Sequence, residues 1–138
     1  MNISDFMTPN PTTCQTTAPL SEAARAMRDE SIGDVLVCDD TQRLVGIVTD
    51  RDLVVRGLAN GDIEGLTLAD VCSNELTTVT VDTPASEVVR LMTDRAVRRV
   101  PVIEQSGRPV GIVSLGDLAA QLDEESALGQ ISSAPPDA

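Results

Sequence analysis

LVGIVTDRDLVVRG, residues 44–57, ends an apolar strand-like run on Thr49 and passes at once into a charged helix start; PVGIVSLGDLAAQL, residues 109–122, does the same on Ser114. Each carries a Gly (Gly46, Gly111), a hydroxyl residue and then, three residues on, an Asp (Asp52, Asp117) followed by Leu. The junctions lie 65 residues apart, and sliding the chain against itself by that offset aligns 3–57 with 68–122 without a gap, with 18 identities in 55 pairs. Among them are Asp5/Asp70, Thr12/Thr77, Pro19/Pro84, Glu22/Glu87, Arg25/Arg90 and Met27/Met92. Self-similarity at a fixed offset marks an internal repeat.

Working outward from the junction, both halves read alike. A β-prone piece, TTCQT or TTVTV, precedes PLSEAARAMRDE or PASEVVRLMTDR, where Pro opens a helix and Glu lies in its first turn. Leu20, Ala23, Ala24 and Met27, and likewise Ala85, Val88, Val89 and Met92, recur at helical spacing, so one face of each helix is expected to be buried. DVLVC or RRVPVI, a polar turn and LVGIVT or PVGIVS then predict two strands, and DRDLVVRGLA or LGDLAAQLDE a closing helix. The predicted fold is mixed α/β (α+β): two β-α-β-β-α repeats. Because a half of about 55 residues holds little core of its own, the two are expected to pack about a pseudo-twofold axis. The expected divisions are repeat 1 over 1–58, a Gly-rich linker over 59–67, repeat 2 over 68–122 and an acidic, flexible tail over 123–138.

Composition excludes several classes. With 41% hydrophobic and 23% charged residues and a mean hydropathy of +0.02, the chain has a globular profile. No apolar run approaches the about 20 residues of a membrane span, and MNISDFMTPN lacks the basic-then-apolar pattern of a secretory leader, so a cytoplasmic location without membrane attachment is expected. Ten Arg, no Lys and 22 acidic residues give 10 − 22 = −12, which opposes nucleic acid as a partner. Phe6 is the only aromatic residue, so a planar ligand must be gripped by aliphatic side chains and backbone. Cys14, Cys38 and Cys72 have no CxxC spacing and no His to complete a zinc set; no metal site is expected, and a thiol or metal responder lacks ligand spacing. The chain carries no His and no GxSxG, GxxxxGK[ST] or GxGxxG motif, so no catalytic residue is named and the protein is expected not to be an enzyme.

The tandem GIVTDRD and GIVSLGD junctions, the RRVPV strand and the MT near the N-terminus resemble a pair of cystathionine-β-synthase-type (CBS) domains, the Bateman module, over residues 1–122. Within that family the likeness is to small stand-alone bacterial CBS-pair proteins. The resemblance implies a non-catalytic regulatory module whose inter-repeat clefts bind an adenosine-containing ligand: AMP, ADP, ATP or S-adenosylmethionine. No cofactor is required. It also implies a homodimer, a flat disc of four repeats, acting on a protein partner that the sequence does not name. The alternative is a ligand-free dimeric scaffold.

A strand end that meets a helix start gathers free N–H groups and the positive end of a helix dipole, which favour anions. An Asp carboxylate suits the paired hydroxyls of a ribose, while a Thr or Ser hydroxyl donates to phosphate. Asp117 and Asp52 are therefore the ribose candidates, and Ser114 and Thr49 the hydroxyl candidates. [ST]xx[DE] is equally a helix capping box, and the two roles are compatible. Arg98 and Arg99 stand where repeat 1 has Gly33 and Asp34. The resemblance implies that a basic residue at the Arg99 position faces the nucleotide phosphates, which an Arg fork suits. One competent site is expected, and one degenerate or suited to a less anionic ligand. The expected lining comes from Thr12, Thr13, Cys14, Ile32 and Val35 in repeat 1. In repeat 2 it comes from Thr78, Val79, Val97 and Val100. These residues could equally be core.

Overall fold

A run of apolar residues with no polar alternation belongs in a strand covered on both faces, and DVLVC forms such a strand. The structure, a computed structural model, describes residues 2–120; the tail expected over 123–138 lies outside them. In the first half, strand β2 (Thr13–Gln15), helix α1 (Leu20–Glu30), strand β3 (Asp34–Cys38) and strand β4 (Leu44–Thr49) build a sheet of order β2-β3-β4, with all five residues of the central β3 buried. β2 runs parallel to β3 through the α1 crossover, and β3 antiparallel to β4. The second half repeats this with β5 (Val79–Thr80), α4 (Ala85–Arg95), β6 (Arg99–Ile103) and β7 (Pro109–Ser114). A short strand β1 (Thr8–Pro9) is added at its edge, giving the order β1-β7-β6-β5.

Both long helices stop the same way. Ser31 and Ala96 adopt the left-handed conformation (φ 56 and 55) and donate their N–H groups to Met27 and Met92 carbonyls. That satisfies a terminal acceptor and turns the chain into β3 or β6. Of the expected apolar faces, Leu20, Ala23 and Met27 and their counterparts Ala85, Val88 and Met92 are buried, whereas Ala24 is exposed and Val89 half-buried. The stripe is narrower than its spacing suggested.

The opening segments of the two repeats change places. A 3₁₀ turn at Ile3–Asp5 and β1 pack onto the second sheet, with Thr8 opposite Ile112 and Pro9 opposite Gly111. Ile3 and Phe6 belong to the core of Val79, Val88, Met92, Val100, Val113 and Leu118. Reciprocally, helix α3 (Leu68–Val71) and Ser73, which bridges to Ile47, close the first sheet. Leu68, Val71 and Cys72 join the core of Cys14, Leu20, Met27, Val35, Val48 and Leu53. Gly46 and Gly111 permit this approach: a Cβ on Gly46 would lie 2.7 Å from Cys72 Sγ and 2.9 Å from the Ser73 carbonyl oxygen, and one on Gly111 would lie 3.0 Å from the Thr8 carbonyl oxygen.

The helix after β4 begins as one α turn, α2 (Asp50–Asp52), widens into a π turn at Leu53–Gly57 and ends as 3₁₀ at Leu58–Asn60. β5 is shorter than β2. The Leu36 N–H donates to the Thr12 carbonyl (3.1 Å), and the matching position in repeat 2 is Pro101, which has no N–H to give. Among the described residues no helix is long and apolar enough to cross a membrane.

Candidate functional site

Antiparallel pairing of β6 with β7 sets Arg99 directly opposite Ser114, so the start of one strand and the end of the other lie side by side. The chain then turns helical over 115–120. Leu115 donates its N–H to the Arg98 carbonyl (2.7 Å), and Asp117 donates its N–H to Ser114 Oγ (3.0 Å). Ser114, Asp117, Arg98 and Arg99 thereby line one groove of about 550 Å³, floored by Leu115, Gly116 and Ala119. Asp117 is exposed, and among the described residues no donor reaches its carboxylate. It also borders a hollow of about 310 Å³ with Asp5, Phe6, Thr8 and Ala120. The 550 Å³ groove thus brings Arg98, Arg99, the Ser114 hydroxyl and the Asp117 carboxylate to one wall, a donor set for phosphate beside an acceptor set for a diol.

The first junction is built differently. Thr49 Oγ1 accepts the Asp52 N–H (3.1 Å) while Asp52 Oδ2 accepts the Thr49 N–H (2.9 Å), a complete capping box. Asp52 Oδ1 also lies 3.8 Å from Arg56 Nε. With both oxygens engaged, Asp52 offers a ribose less than Asp117 does. A further capping box, Thr67 with Asp70, starts α3; its T-x-x-D is the same sequence signature and could have disclosed that helix.

Where the repeats meet, Arg99 and Asp34, equivalent positions 65 residues apart, form an ion pair of 3.2 Å. The Asp34 side chain is 10% exposed and that of Arg99 46%. The pair lies in a cleft of about 150 Å³ walled by Thr8, Asn10, Pro11, Thr12, Glu30, Ile32 and Ile112, in which Thr12 Oγ1 donates to Glu30 Oε1 (2.7 Å). A pseudo-symmetric cleft of about 340 Å³ is lined by Glu75, Leu76, Thr77, Arg95 and Val97. At the repeat offset, Glu30 becomes Arg95 and Asp34 becomes Arg99. The clefts use matching wall positions, but the first carries two carboxylates with one guanidinium, and the second one of each.

Of the expected lining residues, Thr12 and Ile32 border the first of these clefts and Val97 the second. Thr13 borders a separate hollow of about 330 Å³ with Gln15, Cys38 and Arg108. Cys14, Val35, Val79 and Val100 lie in the two cores instead: Val35 and Val100 on the central strands β3 and β6, and Cys14 and Val79 on the inward faces of the edge strands β2 and β5. Thr78 is half-buried ahead of β5 and borders none of these clefts. Asn10, Glu30 and Arg95 escaped sequence inspection. The sign reversal of Glu30 against Arg95 at the repeat offset is the signal that marks the two charged residues.

All three cysteines are buried and free. Burial, reinforced by the Glu22 carboxylate, pushes the Cys14 thiol up to about 11, and burial raises Cys38 and Cys72 as well. Among the described residues, no group of three or more His, Cys, Asp or Glu is placed to hold a metal ion.

The family model for the CBS domain matches the chain twice, at residues 3–58 and 68–124. YlbB of Bacillus subtilis is 39% identical over 135 residues, which cover 94% of this chain and 90% of that protein. The crystal structure of hypoxic response protein I with two coordinated zinc ions superposes with a TM-score of 0.77 at 36% identity, over 87% of this chain and 98% of that one. The CBS domain pair of protein MJ0100, in complex with 5′-methylthioadenosine and S-adenosylmethionine, superposes with a TM-score of 0.76 at 25% identity, over 88% and 99%. Two family matches, falling on two sheets whose three equivalent strands share one order and one sequence offset, show that the chain belongs to the CBS-domain family as a tandem pair of CBS repeats.

Proposed function

We propose that this CBS pair is a non-catalytic regulatory module that binds an adenosine-containing ligand in the groove at the end of β7. Asp117 takes the ribose hydroxyls, and Ser114, Arg98 and Arg99 take the phosphate. The observation that carries this reading is the convergence of those four side chains on one groove of about 550 Å³. The adenosine-type ligands of the similar MJ0100 pair support the ligand class. Phe6 is only 6% exposed, so the base is held by aliphatic and backbone groups. Ligand binding then shifts the population of one arrangement of the module and alters its affinity for a protein partner.

The test is a thermal-shift series followed by calorimetry with AMP, ADP, ATP, S-adenosylmethionine and GTP. At a ligand concentration of 100 times Kd, stability should rise by about 2.7 kcal/mol, several degrees in a domain of this size. The rise is expected with an adenosine compound and is lost in Asp117→Ala and Arg98→Ala variants that remain folded. No rise with any compound leaves both junctions as helix caps.

A second reading, a ligand-independent homodimeric scaffold, is favoured by Val54, Val55 and Leu58. They are 54%, 49% and 57% exposed along one helical stretch, and apolar exposure of this kind marks interaction surfaces. Its signature is a dimer in sedimentation equilibrium that Val55→Asp dissociates and that none of the compounds affects.

A further inference from the structure

Arg99 is the residue shared by the 150 Å³ cleft and the 550 Å³ groove. Its guanidinium pairs with Asp34 at 3.2 Å, across the boundary between the repeats. Asp34 holds the matching repeat position, so the pair straddles the pseudo-twofold axis with opposite charges where strict symmetry would place like ones. A carboxylate only 10% exposed is costly to leave without a cation. The cation that faces it is one of the two that the groove offers to phosphate.

We propose that Asp34 is a built-in counter-anion to Arg99, competing with the ligand phosphate and so setting the affinity and charge selectivity of the groove. This rests on the adenosine-ligand reading and adds a determinant outside the groove itself. In the unliganded protein one nitrogen of the Arg99 guanidinium, Nη1, is paired with a monovalent carboxylate. A phosphate monoester brings more charge and three acceptor oxygens, so it displaces the carboxylate where a neutral nucleoside does not. The displaced Asp34 is left in the cleft with Glu30, and the ionic tie between the repeats is released. Ligand binding in repeat 2 is thereby linked to the contact between the repeats, and by thermodynamic reciprocity anything that strengthens the tie weakens phosphate binding.

The experiment is calorimetric titration of the wild-type chain, Asp34→Asn and Glu30→Gln with AMP and with adenosine. Glu30→Gln is the control, since it removes a carboxylate from the same cleft that does not pair with Arg99. Because Arg99 is half exposed, the gain is modest: Asp34→Asn should bind AMP about three- to tenfold more tightly, with adenosine unchanged, and the gain should shrink at high salt. AMP binding within twofold of wild type in Asp34→Asn, or an equal gain for adenosine or in Glu30→Gln, overturns the proposal while leaving the groove assignment intact. If neither AMP nor adenosine binds any of the three proteins, the adenosine-ligand reading fails and the competition with it. Should Asp34→Asn not fold, the wild-type chain decides by the ¹⁵Nε resonance of Arg99. It is expected to move with AMP and not with adenosine, and a resonance unmoved at saturating AMP overturns the proposal.

Discussion

Cys14 stands where repeat 2 has Val79, and both side chains point into a core. The difference between them is a proton. A thiol held at about 11 in the folded chain, against an ordinary value of 9.0, stays protonated where the unfolded chain has already ionised. The native state then binds more protons than the unfolded one, so the stability present below about pH 9 is lost as pH rises towards about 11. Thermal midpoints should fall over that window, and Cys14→Val, the residue supplied by the other repeat, should flatten the decline. A smaller slope persists from Cys38 and Cys72, which are raised for the same reason. A Cys14→Val protein with an unchanged alkaline slope would show that the thiol does not drive it. The lack of ligand spacing among the cysteines was legible in the sequence. The engagement of Asp52 and, among the described residues, the lack of a donor to the Asp117 carboxylate were not, because T-x-x-D and S-x-x-D look alike until the cap hydrogen bonds are traced.

At the scale of elements, the Gly positions separate backbone from side-chain constraints. Gly46→Ala sets a methyl group against Cys72 Sγ and the Ser73 carbonyl, and the carbonyl cannot withdraw without opening its bridge to Ile47. It should destabilise by about 1–3 kcal/mol, read as a lowered urea midpoint. At Gly57 the methyl meets Leu20 Cδ2, the tip of a flexible side chain, so Gly57→Ala should cost less; the reverse order would place the tighter packing at the helix pair. α1 and α4 were legible because eleven residues complete three turns of a periodic pattern. α3 was not, since four residues show no period and only its capping signature announces it. Pro101 sits openly in RRVPVI, yet its effect falls on another strand, the shortened β5, which requires the pairing partner to be known.

For the whole molecule, the offset of 65 residues revealed two similar units, and the sheets bear that out. The exchange of opening segments stayed hidden, because a repeat pattern reports which residues correspond and not which copy they pack against. Cleavage within the exposed stretch 59–65, where Gly61 and Gly65 have positive φ, should therefore leave both pieces held together. A nicked sample is expected to elute as one species of unaltered size in gel filtration and to separate only in denaturant. Two species in native buffer would mean that the exchanged segments contribute little. Each repeat is unfinished by itself, and the surface it lacks is the one its twin carries. A protein with a single such unit would have to borrow from a second copy, at a concentration set by expression. Here the connector keeps the lender permanently at hand, at an effective concentration on the order of millimolar. What duplication changed was less the architecture than the odds that its halves meet.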